Sequence, residues 1–181
     1  SILSRFANVL DVRRLLKETL ENEEARNFLI DRSIEITAFK SLSALKNVAP
    51  AELARSYIEG SAIPSGAFSK KLERENYALP PLPNLFFTRD ASMVVANQAV
   101  VSAMRFSSRW PEEALMRTIY GYHPSFAGSE IVYDGSDERR KGFTLEGGDV
   151  HVLSHDTVFV GLSERTSAAA LDELCELLFT N

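Results

Sequence analysis

Apolar residues over the first twenty positions recur at the period of a helix. Ile2, Leu3, Phe6, Val9, Leu10, Leu15, Leu16 and Leu20 stand at spacings of three, four and seven, with Arg13, Arg14, Lys17 and Glu18 mostly on the other side. Such a stripe predicts a helix that buries one face. Helix resumes over 23–30 after a break at Asn22. Residues 33–46 read two ways: Ile34, Ala38, Leu42 and Leu45 fit a helix, the favoured reading, while Ile34 to Phe39 fit a short strand. Pro50 in a first turn and Gly60 past a last one frame a helix over 50–59. Residues 1–80 therefore read as a helical bundle.

A seam follows at Pro80, Pro81 and Pro83, three ring-locked residues that can continue neither a helix nor a central strand. Beyond it the period changes. Met93 to Ala96 and Ala99 to Ala103 are β-prone runs around Asn97-Gln98, a hairpin signal. Next comes a helix with Pro111, Glu112 and Glu113 at its start, where acids suit the dipole, and Leu115, Met116, Ile119 and Tyr120 as its buried face. The plan then recurs. Val150 to Leu153 and Val158 to Gly161 flank Ser154-His155-Asp156-Thr157, and Thr166 or Ser167 caps a helix bearing Leu171, Leu174, Cys175 and Leu178.

The repeat carries its charges with it. Asp90 precedes the first hairpin and Arg109 opens the following helix nineteen positions later; Glu146 and Arg165 flank the second hairpin at the same separation. Units this small cannot bury their apolar faces alone, so residues 81–181 read as about two units of an α/β array. Two units do not close an array, and the 181 residues are expected to be a piece of a longer chain.

Composition narrows the function. Hydrophobic residues at 45% and charged residues at 25% exclude a wholly disordered chain, and no apolar run is long enough for a membrane span. A net charge of −5 without a basic tract argues against nucleic acid or a membrane surface as partner. Three scattered histidines and Cys175 offer no zinc spacing and no disulfide framework. With no secretory pattern in this stretch, a cytoplasmic location is expected. Charge is uneven: residues 1–80 carry 12 basic and 11 acidic side chains, residues 81–181 carry 8 and 14.

An arginine at a helix start faces the positive end of the dipole, at a cost of roughly 0.3–1 kcal/mol. Either Glu112 and Glu164 neutralise Arg109 and Arg165, or the two guanidiniums point at an anionic ligand such as a small carboxylate. Asp90 follows Phe86 and Phe87, which shield it from water, and Gly147-Gly148 after Glu146 permits close backbone approach or positive φ. Acids and arginines gathered in this way suit a zwitterion with a second positive group, such as an amino acid bearing a guanidinium. Cys175 among Leu174, Leu177 and Leu178 reads as core, His151 as structural, His155 as part of a turn, and His123 as a loop residue against the preceding helix.

Three segments resemble signature motifs of the arginine deiminase family: Pro83-Asn84-Leu85-Phe86-Phe87-Thr88-Arg89-Asp90, Glu146-Gly147-Gly148-Asp149 and Gly161-Leu162-Ser163-Glu164-Arg165-Thr166. Their order and separation match as well, and the region before Pro80 resembles that family's inserted helical bundle. The resemblance implies a pentein fold, an α/β propeller of ββαβ-type units, here partial. It implies hydrolysis of L-arginine to L-citrulline and ammonia without metal or organic cofactor, by a protein that is homo-oligomeric at full length. By the same resemblance Asp90 binds two guanidinium nitrogens and assists proton movement, and Glu146 orients a catalytic histidine. Arg109 and Arg165 clamp the substrate carboxylate with help from Asn84, Phe87 packs on the substrate stem, and Gly147 and Gly148 line the site. Arg105 rivals Arg109, which is preferred for its spacing. The family's nucleophilic cysteine, its His-x-Asp segment and its opening strand have no counterpart here, so the chain alone is expected to be inactive. A non-catalytic arginine-binding or interaction module is the alternative from another class. Agmatine deiminase and other guanidino-modifying enzymes are further ones, and two carboxylate-clamping arginines speak against agmatine as substrate.

Overall fold

The computed structural model describes residues 2–37, 40–62, 77–138 and 142–179. The main helices are α1 (Val12–Thr19), α2 (Glu23–Thr37), α3 (Pro50–Glu59), α4 (Trp110–Tyr122) and α5 (Ala168–Phe179). Strands β1 (Ser61–Ala62) and β2 (Tyr77–Leu79) form a small pair, and β3 (Ser92–Val95), β4 (Gln98–Val101) and β5 (Ile131–Asp134) form a three-stranded sheet. A second hairpin comprises β6 (Val150–Val152) and β7 (Val158–Val160). The chain is mixed α/β, and among the described residues its small sheets do not close into a ring.

Helix α1 starts later than its apolar stripe suggests. The Asp11 carboxylate accepts from Arg14 N at 2.9 Å and caps the helix there, which leaves only a 3-10 turn at Leu3–Arg5 before it. Ile2, Leu3, Phe6, Val9 and Leu10 are consequently exposed, and burial begins at Leu15. The break at Asn22 is a cap too, its Oδ1 accepting from Glu24 N at 2.8 Å. Helix α2 runs through Thr37 and a 3-10 helix covers Lys40–Asn47, so 33–46 is helical where described; Ala38 and Phe39 lie outside the described residues, as do 63–76.

Strands β3 and β4 pair Ser92 with Val101 and Val95 with Gln98, which puts the turn at Ala96-Asn97, one position earlier than the sequence suggests. Gln98 belongs to β4 because it pairs with Val95 and its amide reaches Glu130 at 3.3 Å; Ala96 absorbs the turn with φ +52°. The chain then crosses through α4 and returns as β5, parallel to β4, completing one β-β-α-β unit. In the second unit Ser167, not Thr166, caps α5, its hydroxyl accepting from Ala170 N at 3.3 Å.

Two apolar clusters hold the chain together. Leu15, Leu16, Leu20, Leu29, Ile30, Leu53 and Tyr57 of the helical region share one with Leu115, Met116 and Ile119 of α4, and Met93, Val100, Tyr133, Leu145, Val150 and Leu174 form the other. Each fully buried side chain of this size contributes about 1.5–3 kcal/mol. His123 ends α4 as a buried linker: its Nδ1 accepts from Ser125 N, which leaves Nε2–H to donate to Glu18 at 3.0 Å.

Candidate functional site

An antiparallel bridge between Ala103 and Leu145 fastens the end of the first unit to the start of the second, with N–O distances of 2.9 and 3.0 Å. It sets Glu146 beside Arg105, whose backbone N–H donates to Glu146 Oε1 at 3.1 Å. The next two residues fold against the turn Thr88–Ala91 that carries Asp90. A Cβ on Gly147 would stand 2.0 Å from the Arg89 carbonyl oxygen, and one on Gly148 would stand 2.7 Å from Asp90 Oδ1. The glycine pair therefore serves close approach, with no positive φ at either residue. The Asp90 turn thus packs on the loop that begins at Glu146.

In the first couplet the arginine is inside. Arg109 is 3% exposed and donates from Nη1 to Asp90 Oδ2 at 2.9 Å and from Nη2 to Glu112 Oε2 at 2.7 Å. Its Nε lies 3.2 Å from both Glu112 oxygens, and its Nη2 3.5 Å from the Asn84 carbonyl. Burial opposes the cation, but hydrogen bonds to Glu112 and Asp90 outweigh it and raise the pKa above the usual arginine value. Glu112, 0% exposed, neutralises Arg109 from within, the first of the two alternatives the sequence left open. Arg109 is thus engaged within the chain in this state, and its open partner is Asp90, whose Oδ1 has no partner among the described residues.

In the second couplet the acid is inside. Glu146 is 2% exposed; its Oε2 accepts from Arg165 Nη1 at 3.1 Å, and its own N–H donates to Thr166 Oγ1. Arg165 answers to Glu146, not to Glu164, and its side chain is 42% exposed with the guanidinium 5.3 Å above the Phe106 ring. Asp149 pins the loop beneath: its Oδ2 accepts from Ser163 Oγ and Thr166 Oγ1, both at 2.7 Å.

Of the other candidates, Asn84 is exposed and touches the site through its carbonyl; Phe87, half exposed, packs tilted on Phe86 with ring centroids 4.3 Å apart, and with Phe86 84% exposed the two rings face solvent instead of shielding Asp90 as expected. Arg105 offers an exposed guanidinium in addition to its backbone bond. Cys175 is half-buried on α5. His151 and His155 are exposed on the second hairpin, and Glu146 bonds no histidine among the described residues. Phe106 and Asp149 were not legible as site residues. An aromatic beside Arg105 has no periodic signal, and Asp149 stood only as the end of a glycine motif.

The arrangement presents one open carboxylate edge and one open guanidinium, of opposite sign, across a shared loop. Arg109, Glu112 and Glu146 are sealed, and Asp90 and Arg165 are the members of the two couplets with solvent exposure.

Comparison with known proteins agrees in kind. The family model for arginine deiminase matches residues 4–181. The chain is 33% identical over 172 residues to arginine deiminase of Listeria monocytogenes serotype 4a and 32% identical over 172 residues to that of Listeria innocua, with 92% of this chain covered in each case. It is 41% identical over 108 residues to arginine deiminase of Listeria welshimeri, covering 59% of this chain and 26% of the relative. The chain spans about 39% of the length of the first two relatives. A match over nearly the whole chain places this protein in the arginine deiminase family.

Proposed function

We propose that this chain carries the substrate-positioning half of an arginine deiminase, which hydrolyses L-arginine to L-citrulline and ammonia. The observation that carries the reading is the pair of opposite charges left open, at Asp90 and at Arg165, by couplets whose other members are buried. Asp90 receives the substrate guanidinium through Oδ1. Arg165 and the Nη1 edge of Arg109 hold the carboxylate, with the Asn84 amide beside them, and Phe87 covers the aliphatic stem. Gly148 leaves the room this needs, and Gly147 brings the loop to Asp90. Glu146 orients a histidine supplied by polypeptide outside these 181 residues.

In the reaction a thiolate attacks the guanidinium carbon, and the tetrahedral adduct expels ammonia as a histidine protonates it. Water, deprotonated by the same group, then displaces the thiolate from the S-alkylthiouronium to give the ureido product. Neither nucleophile nor proton relay is assigned within this chain, so its own contribution is orientation and charge complementarity. In this reading residues 1–80 are the inserted bundle and 81–181 about two units of a pentein propeller, and the protein is cytoplasmic. Without the catalytic groups, the chain by itself is an arginine binder.

Two measurements test this. Citrulline assayed from the purified chain with L-arginine stays at the blank, and steady production above it refutes the assignment of positioning alone. Titration followed by amide chemical shifts shows weak binding of L-arginine but not of L-citrulline, whose side-chain ureido group is uncharged. Asp90→Asn removes that binding by about tenfold or more; equal shifts in wild type and variant would falsify the role of Asp90.

A further inference from the structure

An arginine side chain carries five N–H donors on three nitrogens. Glu112 occupies two of the nitrogens of Arg109, Nε at 3.2 Å from each carboxylate oxygen and Nη2 at 2.7 Å. The Asn84 carbonyl lies beyond Nη2 at 3.5 Å. Nη1 faces Asp90, where one bond to Oδ2 at 2.9 Å leaves its second hydrogen without a partner among the described residues. Glu112 is 0% exposed in the first turn of α4, so its carboxylate cannot swing out into water. A grip on two nitrogens along one edge fixes the plane of a guanidinium as well as its place.

We propose that Glu112 is a positioning residue for carboxylate recognition: by holding Nε and Nη2 from inside, it aims the Nη1 edge of Arg109 at the ligand's α-carboxylate and so sets the preference for arginine over agmatine, its decarboxylated analogue. The inference rests on the proposed function of the same cleft. Glu112 touches no ligand; it acts through Arg109. Without it the guanidinium keeps Asp90 but loses the contact that defines its plane, and Nη1 no longer has a set direction.

The test is a titration of the chain with L-arginine and with agmatine, followed by amide chemical shifts, for wild type, Glu112→Gln and Glu112→Asp, with the thermal midpoint of each. Wild type prefers L-arginine. Glu112→Gln loses about tenfold of that preference while its affinity for agmatine is retained. Glu112→Asp keeps the charge and recovers part of the loss. A Glu112 that only supports the fold lowers both affinities together, and an unchanged ratio in a folded variant overturns the proposal. Should Glu112→Gln fail to fold, the ratio for Glu112→Asp decides: below wild type supports the proposal, equal to it overturns it. Absence of any preference in wild type instead refutes the clamp reading of the cleft, and the proposal with it.

Discussion

The two acid–arginine couplets have the same spacing in sequence and opposite burial in space. In one, Arg109 is sealed at 4% side-chain exposure and Asp90 is the more open at 21%; in the other, Glu146 is sealed at 2% and Arg165 is open at 42%. Each sealed member has an extra partner that its counterpart lacks. Glu112 holds Arg109, while Arg105 N–H and Thr166 fasten Glu146. The repeated supersecondary unit thus carries the same charge pair twice, and the local surroundings decide which member of each pair is sealed.

The comparison can be broken most forcefully at its buried cation. Arg109→Met leaves Glu112 charged and unpaired in the core, and the denaturation midpoint is expected to drop by the equivalent of about 4 kcal/mol. Gly147→Ala comes next. Its methyl meets the Arg89 carbonyl oxygen, and the loop must move away from Asp90 at a cost of about 3 kcal/mol, read from urea unfolding. Glu146→Gln retains an acceptor for Arg105 N–H but loses the charge, and since Arg165 can rehydrate, the loss is about 2 kcal/mol. Arg165→Met sharpens the contrast. It takes the cation from Glu146, which is 2% exposed and keeps only the Arg105 N–H, so a loss of about 2 kcal/mol is expected, about half that of Arg109→Met, while arginine binding weakens. If Arg165→Met proved as damaging to the fold as Arg109→Met, the difference in burial would have no energetic meaning.

The couplets were readable because hairpin and helix lengths fix their spacing, and the helical period located α2 to α5. Burial was less accessible. Which member of a couplet is sealed depends on the Ala103–Leu145 bridge, which joins residues distant in sequence, and on Phe106, which belongs to no periodic pattern. Residues 2–10 show the limit of periodicity from the other side. Their spacing is helical, but periodicity cannot tell whether a partner surface exists, and the capping acid Asp11 was the better marker of where α1 begins. Glu112 stood in the sequence as one candidate neutraliser of Arg109; its two-nitrogen grip required coordinates.

The prolines at 80, 81 and 83 mark a change of pattern, yet the cluster that joins Leu15, Leu16 and Leu29 to Leu115, Met116 and Ile119 runs straight across them. A chimaera spliced at that point would inherit two mismatched walls of one room. Differential scanning calorimetry of the intact chain is accordingly expected to trace a single endotherm, so exchanges between relatives must carry α4 along with the helices it leans on.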